Sequence, residues 1–127
     1  HLGQEDLDTA DIAAIKTAGI QLGISTHDDA ELSRALSLQP DYVALGPIYP
    51  TQSKSLHWSA QGLEKISDWK TRIGDRPLVA IGGITLERAP AVLAAGADSI
   101  AVIGAIVNAP DPLLASREWL AVCKAAS

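Results

Sequence analysis

Four short apolar runs recur along the chain: Ile20–Ser25 (IQLGIS), Tyr42–Gly46 (YVALG), Leu78–Gly83 (LVAIGG) and Ser99–Gly104 (SIAVIG). Each ends in or beside Gly or Ser, and their near-continuous apolar character predicts strands covered on both faces, as in a parallel sheet. The segments between them repeat apolar residues every three or four positions, which predicts amphipathic helices. The first begins near Asp8 or Thr9 as N-cap, puts Ile12 and Ile15 on one face and stops at Gly19. The second follows Thr26, with Asp28, Asp29 and Glu31 in its first turn where carboxylates favour the helix dipole, and buries Leu32, Ala35 and Leu36. A third carries Leu63, Ile66, Trp69 and Ile73 and ends at Gly74. The fourth runs from about Leu86 to Ala95 with Pro90 in its first turns. The last covers Pro112 to Ala125 after an Asp111 cap, with Leu113, Leu114, Trp119 and Leu120 as its packing side.

Strands alternating with helices of this size imply right-handed βαβ crossovers. His1 and Leu2 read as the end of a further strand, because Gly3-Gln4-Glu5-Asp6 behaves as the loop after one. A strand stub plus four βα units is about half of a (β/α)8 TIM barrel, a fold that takes about 250 residues, whereas this chain has 127. Periodicity alone leaves a doubly wound open sheet of four or five strands as the alternative. No low-complexity linker divides residues 1–127, so a single domain is expected. The chain contains no Met and begins at His1, from which loss of the N-terminal part of a barrel is expected.

Composition narrows the functional classes. With 47% hydrophobic and 20% charged residues, the chain has the make-up of a globular protein with a core. The formal charge of -5 and the scattered Lys and Arg residues exclude a basic surface for nucleic acid. No apolar segment approaches the ~20 residues of a membrane span, and no signal peptide is visible. Cys123 is the single cysteine, so an intrachain disulfide and a cysteine-based zinc site are both excluded; a reducing, cytoplasmic setting is expected. Its apolar neighbours Trp119, Leu120 and Val122 predict a buried small hydrophobe without a catalytic role.

Candidate chemistry lies in the loops, since parallel α/β folds place their ligands beyond the C-terminal ends of the strands. Gly82-Gly83 before a helix lets backbone amides approach an anion, although a tight turn explains it equally well. Ile103-Gly104 ends the last run before a short helical segment, and two Gly-ended strands in succession at this end of a barrel predict a joint phosphate site. The loop Gly46–Ser55 (GPIYPTQSKS) is rich in hydroxyls and carries Lys54, a combination suited to a phosphorylated ligand. In the loop after the stub a carboxylate can hold Mg²⁺. His27, two positions after Ser25, is within reach of a substrate there but reads rather as structural at a helix start, and His57 and Trp58 receive no role.

In their order and spacing, HLGQEDL, LGIST, DYVALGPIYPTQSK, VAIGGI and SIAVIGAI resemble the strand-end motifs of the thiamine-phosphate synthase family, from His1 to about Pro112. GPIYPTQSK is the most specific piece, whereas IGGI occurs in many phosphate-binding barrels. The resemblance implies Asp6 as a Mg²⁺ ligand and Ser25 as a contact to a pyrimidine pyrophosphate. It implies Thr51, Gln52 and Ser53 as contacts to a thiazole phosphate and Lys54 as a contact to the pyrophosphate. Gly83, Ile103 and Gly104 would hold the thiazole phosphate through backbone amides. Ser53 stands where the family usually has Thr, and Gly104 where it usually has Ser, so the phosphate grip is expected to be weaker rather than lost.

The implied reaction is alkyl transfer on small phosphorylated substrates, with Mg²⁺ and Lys54 drawing charge onto departing pyrophosphate and leaving a cation-like pyrimidine methylene that the thiazole nitrogen attacks. A thiazole tautomerase of the same barrel family is a rival, disfavoured by the presence of both Asp6 and Lys54. A non-catalytic phosphate-binding fragment is another, because the family's other Mg²⁺ carboxylate and its basic pyrophosphate-binding segment precede the position of His1. The isolated chain is accordingly expected to be inactive, and its strand edges to need a second chain bearing the other half, or self-association.

Overall fold

The computed structural model describes residues 1–51 and 58–126. A 3-10 turn, Gln4–Asp8, is followed by α1 (Ile12–Thr17), β1 (Gly23–Thr26), α2 (Asp29–Ser37), β2 (Tyr42–Leu45), α3 (Leu63–Ile73), β3 (Leu78–Ile81), α4 (Ala89–Ala94), β4 (Ser99–Ala101), α5 (Gly104–Val107) and α6 (Pro112–Ala125). The strands form one parallel sheet in the order β1-β2-β3-β4. Leu2 extends it by a parallel bridge to Ile24, the strand stub anticipated before β1.

This order decides between the two architectures left open above. A doubly wound sheet reverses direction and carries helices on both faces, whereas a barrel adds each strand to the same side of the last. Here Val43, Leu45, Leu78 and Ala80 pack with Leu32, Ile66, Trp69, Val92 and Trp119 in one core, so the helices share one face of a sequentially ordered sheet. The chain is an arc of a TIM barrel. The opposite strand face, bearing Ser25, Tyr42, Val79, Ile81 and Ala101, is half-exposed, so the runs expected to be covered twice are covered by helices once. In a closed barrel such residues are filled in by layers from the other strands.

Several boundaries shift for local reasons. Thr9 and Ala10 donate their amides to the Asp6 carbonyl and finish the 3-10 turn, so Asp11 rather than Asp8 or Thr9 caps α1, accepting from the Ala14 amide at 2.9 Å. Asp28 likewise caps α2 instead of lying in its first turn. The Thr85 carbonyl takes the Arg88 and Ala89 amides in a separate turn, and α4 therefore starts three residues later than the pattern suggested, with Pro90 where no intrahelical amide bond is lost. In α6 the bounds hold but the packing side differs: Ala115 and Trp119 are buried, whereas Leu113, Leu114 and Leu120 are 63%, 52% and 61% exposed. Helical spacing identifies a stripe, but which edge of it meets the core depends on how the helix docks. Cys123 is half-buried rather than buried.

The two ends of the sheet are held differently. At the N-terminal end the residue before a strand binds the preceding strand: the Asp41 carboxylate accepts the Leu22 amide at 2.6 Å, and that of Asp98 accepts the Leu78 amide at 2.8 Å. Lys70 of α3 joins Asp98 at 2.8 Å and also reaches the Arg76 carbonyl. Deep between the layers, the Trp69 indole donates to the Thr26 hydroxyl, which donates to the Ala44 carbonyl, both at 2.8 Å.

Two stability predictions follow from these contacts. Thr26→Val keeps the shape but orphans a buried indole N–H, so unfolding free energy in urea should fall by about 1–3 kcal/mol. Burial raises the pKa of Asp98, but the Lys70 hydrogen bond, the Leu78 amide and the Lys70 charge outweigh it, and the carboxyl titrates below its ordinary 3.8. Its contribution is thus present above the unfolded-state value and is lost as pH falls through the folded-state value. Thermal scans across pH 2 to 5 should show a shallower acid loss for Asp98→Asn than for the unaltered protein.

Candidate functional site

All the strands point their C-terminal ends to one rim, and each delivers a loop there. β1 ends at Thr26 and is followed by His27. After β2 the chain runs through Gly46 and Pro47 to Thr51, with the Gly46–Pro47 peptide cis. The Ile48 and Tyr49 amides then donate to the carbonyls of Ile81 and Gly82, each at 3.0 Å, laying this segment against the end of β3. That approach explains the glycine pair. A Cβ on Gly82 would stand 2.6 Å from Pro47 Cα, and one on Gly83 would stand 2.5 Å from the Pro50 carbonyl oxygen; both residues also have positive φ, +102° and +64°. Only glycine meets both demands. The glycines that the sequence suggested for approach to an anion are thus approached by the chain itself.

The loops enclose a cavity of about 520 Å³. Ser25, Thr51, Gly83, Ile103 and Gly104, gathered from four separate segments, all line it. Gln52, Ser53 and Lys54 lie outside the described residues. Asp6 does not line the cavity: its carboxylate accepts the Gly3 amide at 2.8 Å in the turn after the strand stub, beside the rim where Gln4 Nε2 donates to the Ser25 carbonyl. Among the described residues no three His, Cys, Asp or Glu side chains gather as a metal set; the exposed Asp6 carboxylate is a single hard oxygen donor of the type Mg²⁺ takes.

Described lining residues include no Asp or Glu, but they include Arg88, which the sequence pattern did not single out, and His27, which it favoured as structural. Arg88 donates to the Gly83 carbonyl at 2.7 Å and lies 4.3 Å over the Tyr49 ring, tying β3's loop to β2's while placing a cation at the cavity. His27 bonds Glu31 through Nδ1 at 2.7 Å and stacks on Trp58 at 4.8 Å, nearly parallel at 8°. The i,i+4 spacing of His27 and Glu31 was a visible signal for that pairing. The stacking was not, because Trp58 is remote in sequence. The described lining thus combines Arg88 and His27 with hydroxyl groups and the backbone amides at Ile103–Gly104, and includes no carboxylate.

A family model described as thiamine monophosphate synthase matches residues 1–106. The chain belongs to that family. It is 60% identical over 121 residues to thiamine-phosphate synthase of Rhizobium etli, covering 95% of this chain and 59% of that protein. Against the enzyme of the same name from Salmonella typhimurium it is 54% identical over 122 residues, covering 96% and 58%. In three dimensions it resembles thiamine phosphate pyrophosphorylase from Pyrococcus furiosus, with a TM-score of 0.80 at 31% identity, over 98% of this chain and 58% of that one. The chain therefore spans somewhat under three-fifths of the length of these relatives. Among the described residues no helix is long and apolar enough to cross a membrane.

Replacing Gly83 by Ala forces a side chain into a left-handed backbone and against Pro50. We expect a loss of about 1–3 kcal/mol in chemical denaturation.

Proposed function

We propose that the protein carrying this chain is a thiamine-phosphate synthase, coupling hydroxymethylpyrimidine pyrophosphate to hydroxyethylthiazole phosphate with release of pyrophosphate. The observation that carries this reading is the convergence of Ser25, Thr51, Gly83, Ile103 and Gly104 on one cavity, whose described lining bears no carboxylate, in a member of this family.

The residues divide by the charge they meet. Thr51, Gln52 and Ser53, with the amides of Gly83, Ile103 and Gly104, hold the thiazole phosphate and bring the ring nitrogen toward the pyrimidine methylene. Ser25 and Lys54 hold the pyrophosphate, Ser25 by hydrogen bonding and Lys54 by charge. The methylene–oxygen bond breaks with its electron pair leaving on pyrophosphate, and the thiazole nitrogen attacks the cation-like methylene that remains. Stabilising that departing charge and aligning the partners is the protein's contribution; no protein nucleophile is needed. Asp6 would serve as one ligand of Mg²⁺, which when bound supplies further positive charge to the leaving group. The half-exposed inner strand face and the exposed leucines of α6 support a need for further barrel strands or a second copy, so the 127-residue chain alone is proposed to be inactive.

The test is formation of thiamine phosphate by the intact protein from both substrates with Mg²⁺. Turnover should vanish with EDTA and return with Mg²⁺, and Lys54→Ala should lower kcat/KM by about a hundredfold. Failure of the intact protein to form product would overturn the reading.

A further inference from the structure

Ser25 does not stand alone at the rim. On its side of β1 the His1 imidazole brings Nε2 to 2.7 Å from Ser25 Oγ and Nδ1 to 2.8 Å from the Tyr42 hydroxyl. The two rings also stack, with centroids 5.6 Å apart and planes inclined by 25°. Register explains the meeting. Gly23 pairs with Tyr42 and Ser25 with Ala44, so Gly23, Ser25 and Tyr42 share the inner face, and the Leu2 bridge to Ile24 carries His1 beside them. Gly23 makes the room: a Cβ there would lie 1.9 Å from Tyr42 Cζ, so the phenol ring rests directly on the bare backbone. Beneath the main cavity a smaller space of about 210 Å³ is lined by His1, Ser25 and Tyr42, and Ser25 lines both.

We propose that Tyr42 and His1 are positioning residues that hold the Ser25 hydroxyl as a hydrogen-bond donor to the anionic substrate, a deepening that rests on the coupling reading above. The direction of the chain follows from donor inventory. A neutral imidazole has one N–H and one acceptor nitrogen. If Tyr42 donates to Nδ1, the ring proton sits on Nε2 and is donated to Ser25 Oγ, which leaves the serine proton for the cavity. The reverse order spends the serine proton on His1 and turns only lone pairs toward a pyrophosphate oxygen, which repels it. An anionic ligand therefore selects the first order, and each bond in such a chain polarises the next. No proton is transferred, in keeping with a reaction that needs none.

The experiment uses the intact protein and its Tyr42→Phe, Ser25→Ala and double variants. Phenylalanine keeps the ring on Gly23 and removes only the hydroxyl. We measure inorganic pyrophosphate binding with Mg²⁺ by calorimetry, and kcat and KM for both substrates. Tyr42→Phe should weaken pyrophosphate binding about fivefold and lower kcat similarly, with KM for the thiazole phosphate unchanged. In the Ser25→Ala background the same substitution should add almost nothing, since it acts through the serine. His1→Ala should match Tyr42→Phe, while His1→Gln, which restores a donor, should recover part of the loss. Losses that multiply in the double variant, unchanged pyrophosphate affinity in Tyr42→Phe, or an unaltered protein that does not bind pyrophosphate would each overturn the proposal. Non-additive pyrophosphate binding in a protein that forms no thiamine phosphate would uphold the chain and sink the coupling reading.

Discussion

Everything at the rim depends on a polar contact placed where the core is driest. Thr26 is the buried polar residue among those described, and its hydroxyl must satisfy both itself and the Trp69 indole. It does so by accepting from Trp69 and donating to the Ala44 carbonyl, which links α3, β1 and β2 through a single oxygen. Hydrogen bonds of this kind add modest net stability, but an unmade one at such a depth is costly. The arrangement therefore penalises any sliding of α3 along the sheet. Because side chains alternate along a strand, fixing Thr26 toward the helices fixes Ser25 toward the barrel interior.

Around this anchor the two ends of the sheet divide the work. At the N-terminal end, Asp41 and Asp98 each bind the backbone at the start of the preceding strand, a stitching role that needs no ligand. At the C-terminal end, glycines at 46, 82 and 83 let chain segments approach more closely than any side chain permits. A Cβ on Gly46 would lie 2.6 Å from the Ile81 carbonyl oxygen, so the β2 and β3 loops close on one another at this point. Arg88 then spans the join from the Gly83 carbonyl to the Tyr49 ring. The result is a cavity whose shape comes from backbone contact and whose described charged groups come from side chains on neighbouring loops.

Much of this was legible in the linear pattern, for identifiable reasons. Strand positions were readable because covered strands are continuously apolar, and α3 and α6 because strong periodicity is bounded by Gly74 and by Asp111 with Pro112. That Ser25, Thr51, Gly83, Ile103 and Gly104 would lie at one cavity was legible from the family resemblance and from the tendency of strand-end loops to gather in this class of fold. Less legible were the helix starts: Asp8, Thr9 and Asp11 are all competent caps, and the choice among them was made by the 3-10 turn that consumed the first two. Arg88 was missed because nothing local distinguishes a cation in a helix-entry turn from a solvated one. His27 was read as structural because its Trp58 partner arrives from beyond the β2 loop.

Alternation, glycine placement and the Asp caps are local properties, set by backbone sterics and the hydrogen-bonding needs of helix ends, so the sequence by itself determined four βα units, their direction and which loops gather at the rim. Tertiary structure alone decided that the helices lie on one face of a sequentially ordered sheet, that Leu113, Leu114 and Leu120 face outward while Trp119 faces in, and that His1, Tyr42 and Ser25 meet. Those outcomes depend on docking angles and strand register, which arise between segments distant along the chain and leave no mark on the periodicity of any one of them.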